Sequence, residues 1–301
     1  MGEFRRGLSD RFVAELEVLA EQGGWWAEVL ADKNLIIGIR DEYLNVYWQG
    51  QSLFKVDWKN NRVAASTHPK YLLNPDLSEQ IPFDAYEAIF GGLPDGGLTS
   101  IWEQGTTLGR LKRAARRYAG AEKRGVHRIA IQSDNLIDVE VAVTSAEQAN
   151  RSAPRLDFAI FEPDGASARL IFWEAKTFYN RELKASGKKS VVQQIARYRR
   201  LLSDADLRQQ VLKSYQVVAS NLVSLGEMSG GARTVGAAIR GVADGGHLIL
   251  GDPPDVNLVI YGFDLAQRDK IWRPLKAELA KALGATRIVA KGTPSGITLH
   301  R

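Results

Sequence analysis

A strongly apolar segment near the middle of the chain ends in a carboxylate and an ammonium group two positions apart, and these charges constrain the fold more than any other feature. Residues 169–176 are rich in β-branched and aromatic side chains and predict a strand that carries Glu174 and Lys176. Residues 155–161 predict a second strand, and Pro163-Asp164-Gly165 between the two is typical of a turn. The sequence therefore predicts a β-hairpin that brings charged side chains into an apolar sheet.

The position of the turn decides which residues of this hairpin face each other. If the pairing axis falls between Gly165 and Ala166, Asp157 lies directly opposite Glu174. Directly opposed residues have Cβ atoms about 5 Å apart, and two like charges there destabilise a sheet unless something positive lies between them. Lys176 lies two positions after Glu174 and projects from the same face of its strand. The hairpin is therefore predicted to present two carboxylates and one ammonium as a single cluster.

Such a cluster suits metal-assisted hydrolysis of a phosphodiester. Mg²⁺ prefers oxygen ligands, commonly one or two carboxylates, and leaves its other positions to water and substrate phosphate. The cation polarises a phosphoryl oxygen and lowers the pKa of a bound water. The lysine can orient or deprotonate the attacking water and offset charge that develops on the phosphate. A neutral side chain at position 176 could do neither.

The pattern of Asp157 followed by Glu174-Ala175-Lys176 resembles the signature of the PD-(D/E)XK nuclease superfamily. Gln194 and Tyr198 add the Gln-x-x-x-Tyr motif that is found after the lysine in its RecB-like branch. The resemblance covers about residues 98–221. It implies a Mg²⁺-dependent deoxyribonuclease, with Mn²⁺ expected to substitute. It also implies that Asp157, Glu174 and the carbonyl of Ala175 bind the metal, and that Asp157, Glu174, Lys176 and Gln194 are catalytic.

Two features depart from that pattern or leave it incomplete. Leu156 precedes Asp157 where the family signature has proline. Many members also carry a glutamate on the first core helix, and three residues are candidates for such an additional ligand: Glu103, Glu122 and Glu140, the last within a predicted strand at residues 137–144. None of the three is assigned.

A second Glu-x-Lys, Glu182-Leu183-Lys184, lies in the polar stretch 180–190 and is interpreted as a solvated surface segment. Substitutions of Glu182 or Lys184 are therefore expected to have little effect. The alternative for the first copy is a structural ion pair or a decayed active site. The corresponding alternative function is a catalytically inactive nucleic-acid-binding or scaffold protein with a nuclease-like fold.

The composition is that of a globular protein: 301 residues, 45% of them hydrophobic and 25% charged. The absence of cysteine excludes disulfides, zinc-thiolate sites and a cysteine nucleophile. We expect a cytoplasmic protein without a membrane partner, because no signal-type apolar core or membrane-length run is present. No glycine cluster matches a phosphate-binding loop, which predicts that the chain carries no ATPase motor. The oligomeric state is left open between a monomer and a homodimer.

The net charge of +5 fits a polyanionic partner, and DNA is the partner that the resemblance implies. Residues 110–128 contain eight Lys or Arg and one Glu, and residues 181–200 contain seven and one. These clusters flank the hairpin in sequence and predict salt-dependent binding to phosphates. For any single residue, the alternative is an ordinary solvated helix face.

Two parts are predicted along the chain, an N-terminal α+β module at residues 1–95 and a restriction-endonuclease-like α/β core at residues 96–301. In the core, a mixed central sheet is flanked by helices, and the C-terminal part extends the sheet. We expect the aromatic residues of the module to pack its small sheet, in preference to stacking on bases. The predicted helices are residues 8–22, 190–202 and 265–283, and the further strands are residues 25–30, 35–39, 43–48, 53–58, 62–66, 215–220, 256–262 and 287–290.

Overall fold

The computed structural model describes residues 3–59, 62–71, 88–90, 102–143 and 155–299. The chain is mixed α/β and divides into two compact units. One, the meander unit, comprises residues 6–127 and 220–235, and the other, the mixed-sheet unit, comprises residues 1–5, 128–219 and 236–301. The predicted module boundary at residue 95 lies outside the described residues.

An antiparallel sheet of strand order β1-β2-β3-β4-β5 forms the centre of the meander unit. The first part of the chain contains α1 (Asp10–Glu21), α2 (Trp25–Ala31), β1 (Ile36–Ile39), β2 (Tyr43–Trp48), β3 (Gln51–Lys59), β4 (Arg62–Thr67), β5 (Ala88–Phe90), α3 (Thr107–Arg116) and α4 (Ala121–Ala130). The predicted helix at residues 8–22 and the predicted strands between residues 35 and 66 are confirmed.

The predicted strand at residues 25–30 is wrong, because this segment is helix α2. Its buried residues are Trp25, Trp26, Val29 and Leu30, a spacing that belongs to one side of a helix and not to alternating strand positions. Trp26 is fully buried, and the ring of Trp25 lies 5.6 Å from that of Trp26 and 6.2 Å from that of Phe54. These aromatic side chains pack the interior of the unit, as expected.

The mixed-sheet unit is built on a sheet of order β11-β10-β8-β7-β6, with β9 paired to β8. Strands β6, β7 and β8 are antiparallel, whereas β8, β10 and β11 are parallel. The remaining elements are β6 (Leu136–Ala142), β7 (Arg155–Asp164), β8 (Ser167–Thr177), α5 (Val191–Leu202), α6 (Ala205–Met228), α7 (Ala237–Ala243), β9 (Leu248–Leu250), β10 (Val256–Tyr261), α8 (Leu265–Gln267), α9 (Arg273–Leu283) and β11 (Ile288–Lys291).

The predicted strand at residues 215–220 is wrong, because it lies inside the 24-residue helix α6. Val211, Tyr215 and Val218 are buried at helical spacing, while Val217 is partly exposed. The strands that join the sheet after α5 are instead β9 and β10, and both pair parallel with β8. The predicted strands at 256–262 and 287–290 are confirmed, and the predicted helix at 265–283 is formed by α8, a π-helix at Arg268–Trp272 and α9.

The β7–β8 hairpin has the predicted register. The paired residues run from Asp164 with Ser167 at the turn to Phe158 with Trp173 at the other end of the ladder. The pairing axis therefore falls between Gly165 and Ala166. Gly165 at the turn has φ +61°, a conformation that glycine adopts at little cost. The apolar pairs between these ends are buried on both faces of the hairpin, so the register is fixed by the short turn and not by an exposed face.

The buried residue Asp255 links strands in the parallel half of the sheet. Asp255, directly before β10, accepts the N–H of Phe172 through its backbone carbonyl at 2.9 Å. Its side chain pairs with Arg287, before β11, at 3.1 Å and with Arg169 of β8 at 3.6 Å. These contacts hold β10 in the register that sets Leu258 beside Glu174.

Tyr215 is expected to stabilise the mixed-sheet unit through its hydroxyl group. This group donates a hydrogen bond of 3.1 Å to the carboxyl group of Asp138, which is buried in β6. Tyr215→Phe keeps the ring and its contact with Phe172 but removes one partner of a buried polar group. We expect the free energy of unfolding to fall by about 2 kcal/mol, measured by urea denaturation.

Tyr198→Phe provides a matched control, because the Tyr198 hydroxyl is also buried but has no hydrogen-bond partner among the described residues. Its removal should change the free energy of unfolding by less than about 0.5 kcal/mol. Equal losses in the two variants would contradict a specific role of the Asp138 hydrogen bond.

Candidate active site

Three neighbouring strands of the mixed sheet each place a carboxylate in the same row. Extending the β7–β8 register by one pair sets Asp157 beside Glu174. The β6–β7 register pairs Val139 with Phe158 and Val141 with Leu156, and so sets Glu140 beside Asp157. The row is therefore Glu140, Asp157 and Glu174, although only Asp157 and Glu174 were chosen from the sequence. Glu140 could have been found by a register argument for β6, but β6 ends at Ala142 and β7 begins at Arg155, and so long a connection gives no tight turn from which to count.

Asp157 is the central carboxylate of the row. One of its oxygens, Oδ2, accepts the backbone N–H of Ala175 at 2.7 Å. Burial of this carboxylate, followed by the nearby charge of Glu174, raises the pKa of Asp157 well above its ordinary value, and Glu140 adds to the rise. The hydrogen bond from Ala175 and the charge of Lys176 act in the opposite direction but do not offset it. The row therefore has an excess of negative charge.

Glu140 is held in an unusual backbone conformation. Its φ of +50° lies in the left-handed region, which residues with a side chain rarely adopt within a strand. Its carboxylate lies 3.6 Å from the guanidinium group of Arg155. Strained backbone of this kind costs about 1–3 kcal/mol and is concentrated at functional sites. The conformation therefore marks Glu140 as part of the site.

Lys176 lies between two carboxylates. Its ammonium nitrogen is 2.7 Å from Oε1 of Glu174 and 2.6 Å from Oε2 of Glu182. Burial lowers the pKa of Lys176, but the charges and hydrogen bonds of Glu174 and Glu182 outweigh it and raise that pKa above its ordinary value. Lys176 is thus protonated at neutral pH. The sequence leaves two roles open for Lys176, a cation that orients water or phosphate and a base that deprotonates water. The protonated state favours the first role.

Most of the segment 180–190 is exposed, as expected, but Glu182 is not isolated from the candidate site, because it contacts Lys176. A 3₁₀ turn at Arg181–Leu183 follows β8, and the side chain of Asn180 accepts the N–H of Glu182 at 2.9 Å. This cap directs Glu182 back onto Lys176, although its side chain remains 44% exposed. Lys184, by contrast, is exposed as expected. An Asn two residues before Glu182 was the available sequence signal, because Asn caps turns of this kind.

Helix α5 supplies the two residues of the Gln-x-x-x-Tyr motif. Ser190 caps it, and Val191, Ile195, Tyr198 and Leu202 are buried, which confirms the predicted helix and its apolar stripe. Burial and the charges of Glu174 and Asp157 raise the pKa of Tyr198, so its hydroxyl lies near the carboxylate row. The amide of Gln194 approaches this hydroxyl without meeting hydrogen-bond geometry. Gln194 is therefore a neighbour of the Tyr198 hydroxyl.

The donors of the row are suited to a hard divalent cation. Asp157 and Glu174 offer carboxylate oxygens, and crowding between them raises the pKa of Asp157, as expected where positive charge is lacking. In the described part of the chain, no three His, Asp or Glu residues form a group arranged to hold a metal ion. A cation here would bind two protein carboxylates, with the Ala175 carbonyl as the third donor that the resemblance implies.

The other candidate acidic residues, Glu103 and Glu122, belong to the meander unit, which contains neither Asp157 nor Glu174. Glu103 lies 3.5 Å from the guanidinium group of Arg110. The basic cluster of residues 181–200 belongs to the same unit as the carboxylate row. Its exposed members are Arg181, Lys184, Lys188, Lys189, Arg197 and Arg200.

Comparisons with protein-family models, with curated proteins and with solved structures found no match to this chain. Among the described residues, no helix has the length and apolar character needed to cross a membrane. Any functional conclusion therefore depends on the geometry of the site.

The crowding of carboxylates predicts an unusual response to pH. The folded state holds the proton of Asp157 more tightly than the unfolded chain does, because its pKa is raised on folding. The free energy of unfolding therefore falls as pH rises from about 4 through that raised pKa. Asp157→Asn removes this effect and keeps an oxygen for the Ala175 N–H. In the presence of a chelator at pH 8, we expect this variant to be more stable than wild type by about 1 kcal/mol.

Asp164→Asn on the same strand is the control, because Asp164 is paired with Arg169 and is not crowded by carboxylates. This substitution should reduce stability slightly. Urea denaturation at pH 5 and pH 8 measures both variants. A stability loss in Asp157→Asn at pH 8 would show that Asp157 is not crowded.

Proposed function

We propose that this protein is a metal-dependent nuclease that hydrolyses phosphodiester bonds of DNA, with the row of Asp157 and Glu174 and the adjacent Lys176 as its active site. The observation that carries the proposal is the carboxylate row, with its shortage of positive charge, inside an otherwise apolar sheet. Charge crowding of this kind costs stability, and sites of binding or catalysis are where such costs are retained. Mg²⁺ is the expected cation, and Mn²⁺ should replace it.

The order of the strands is consistent with a restriction-endonuclease-like core. An antiparallel β6-β7-β8 meander carries the acidic residues, the helices α5, α6 and α7 follow, and β9 and β10 then add parallel to β8. This is the succession that the resemblance implies, with β10 in place of the strand expected at residues 215–220. The exposed basic residues 181–200 in the same unit provide positive charge for the DNA backbone.

Each residue of the site has a distinct expected role. Asp157 and Glu174 would hold the cation, together with the carbonyl of Ala175. When bound, the cation would polarise a phosphoryl oxygen and make a bound water more acidic. Lys176, protonated beside Glu174, is placed to orient the attacking water and to offset charge on the phosphate. The neutral amide of Gln194 can hydrogen-bond to the phosphate or to water without competing for the cation.

A second candidate is a protein that binds nucleic acid without hydrolysing it. The ion pairs of Lys176 favour this candidate, because both Glu174 and Glu182 already engage the ammonium group. Calorimetric titration with Mg²⁺ and Mn²⁺, and cleavage assays on plasmid, linear and single-stranded DNA, separate the two. Cation binding that is lost in Asp157→Asn, together with cleavage, supports the nuclease. DNA binding with neither cation binding nor cleavage supports the alternative.

Lys176 is expected to be required for cleavage but not for DNA affinity, because affinity depends on the exposed basic residues. Lys176→Ala leaves Glu174 and Glu182 without their cation and can cost about 3–5 kcal/mol of stability. Lys176→Arg keeps the positive charge and its pairing with the two glutamates but moves the charge to a different position. We expect both variants to slow cleavage by at least about 100-fold. Their DNA affinity, measured by fluorescence anisotropy, should change by less than about threefold.

Lys184→Ala is the control, because it removes the exposed lysine of the second Glu-x-Lys and should leave cleavage unchanged. Glu182 no longer serves as such a control, since it contacts Lys176. Circular dichroism establishes that each variant is folded. Full cleavage by folded Lys176→Ala would rule out the role assigned to this residue.

Gln194 is expected to contribute one positioned hydrogen bond to the reaction. Gln194→Ala should slow turnover by about 10- to 100-fold under single-turnover conditions. Gln193, its neighbour on α5, is exposed, and Gln193→Ala provides a matched control with unchanged turnover. Full activity of Gln194→Ala would mean that the Gln-x-x-x-Tyr motif serves packing alone in this chain, through the buried ring of Tyr198.

A further inference from the structure

Tyr179, three residues after Lys176, combines high exposure with tight fixation. Tyr179 is 69% exposed, whereas Tyr118, another exposed tyrosine of the described residues, is 38% exposed. The ring nevertheless lies edge-on to that of Phe178, with 5.6 Å between the centroids. Its hydroxyl accepts a hydrogen bond from the side-chain amide of Gln267. Contacts with Phe178 and Gln267 hold this exposed aromatic ring in place, so a flat ligand can stack on it without first ordering the side chain.

Gln267, the hydrogen-bond donor to Tyr179, is itself held by two hydrogen bonds. The side-chain oxygen of Gln267 accepts a hydrogen bond of 2.9 Å from the backbone N–H of Asp264. In return, the backbone N–H of Gln267 donates a hydrogen bond of 2.8 Å to the carboxylate of Asp264. This reciprocal capping box leaves the amide nitrogen to hold Tyr179. Below the exposed ring, Phe178 contacts Phe263 at 5.4 Å, and Phe263 stacks on Trp272 at 5.8 Å.

The chain segment that carries Tyr179 is rich in basic side chains, which favours an anionic ligand. Along residues 178–189, four basic side chains are exposed: Arg181, Lys184, Lys188 and Lys189. The single acidic residue of this stretch, Glu182, is occupied by Lys176. The same contact joins the segment that carries Tyr179 to the candidate active site. A ligand with both a flat apolar group and negative charge therefore matches this surface.

We propose that Tyr179 is a stacking platform for an unpaired base, so that the protein binds single-stranded DNA beside the carboxylate row. A nucleotide supplies the flat ring and the phosphate that this surface can receive, and a duplex keeps its bases out of reach. The assignment rests on the proposed function for its choice of DNA and defines the substrate as a single strand or an unpaired end. Aromatic stacking contributes about 1–3 kcal/mol per base.

The test measures binding in the presence of a chelator, so that it does not depend on cleavage. We expect Tyr179→Ala to weaken binding of a fluorescein-labelled single-stranded oligonucleotide by about tenfold or more, with duplex affinity unchanged. Tyr179→Phe should retain most of the affinity, because it keeps the ring. An oligonucleotide with 2-aminopurine should lose fluorescence on binding to wild type and to Tyr179→Phe, but not to Tyr179→Ala.

Leu265→Ala is the matched control, because Leu265 is a large apolar residue that is 71% exposed and lies two residues from Gln267. It should bind single strands as wild type does. Unchanged single-strand affinity in Tyr179→Ala would overturn the proposal. So would equal losses in Tyr179→Ala and Leu265→Ala, or dissociation of a dimer by Tyr179→Ala in sedimentation, since both indicate a protein interface. Tyr179-dependent binding without any cleavage would support this assignment while contradicting the proposed nuclease activity.

Discussion

The register of the β7–β8 hairpin is the constraint on which the candidate site depends. The turn at Gly165 favours one pairing, because turn type and loop length set the register of a hairpin whose two faces are both buried. The same pairing forces Asp157 next to Glu174, and the raised pKa of Asp157 reflects that repulsion. The turn of the hairpin thus maintains a charge arrangement that would not form by itself.

The charges around the row explain why an additional cation fits. Glu140, Asp157, Glu174 and Glu182 bring four carboxylates to this part of the sheet, and Lys176 is shared between two of them. Arg155 pairs with Glu140, so two basic groups face these four carboxylates, and the shortage of positive charge falls on Asp157 and Glu174. A divalent cation would relieve the crowding at Asp157, and the Lys176 ammonium would then be more available to a phosphate. Metal binding and lysine availability would therefore be coupled through Glu174.

Much of this arrangement is predictable from the sequence, and the failures have a common physical cause. The hairpin and α5 are long, strongly patterned segments with a clear turn or cap, and their predictions are confirmed. The predictions at residues 25–30 and 215–220 are wrong because short apolar runs look alike as strand and helix. The sequence predicts the strand β10 and its place in the sheet but not its direct pairing with β8, because parallel pairing across a long connection leaves no local pattern.

Glu182 shows what a motif alone does not reveal about the candidate site. Two copies of Glu-x-Lys looked like alternatives, but the 3₁₀ turn after β8 folds the second onto the first, so that both glutamates contact one lysine. Of these two partners, Glu182 is 44% exposed whereas Glu174 is buried, and water weakens the exposed pair more strongly. An incoming phosphate would therefore replace Glu182 before Glu174. Glu182 would then hold Lys176 in position until substrate arrives, close to the segment that carries Tyr179.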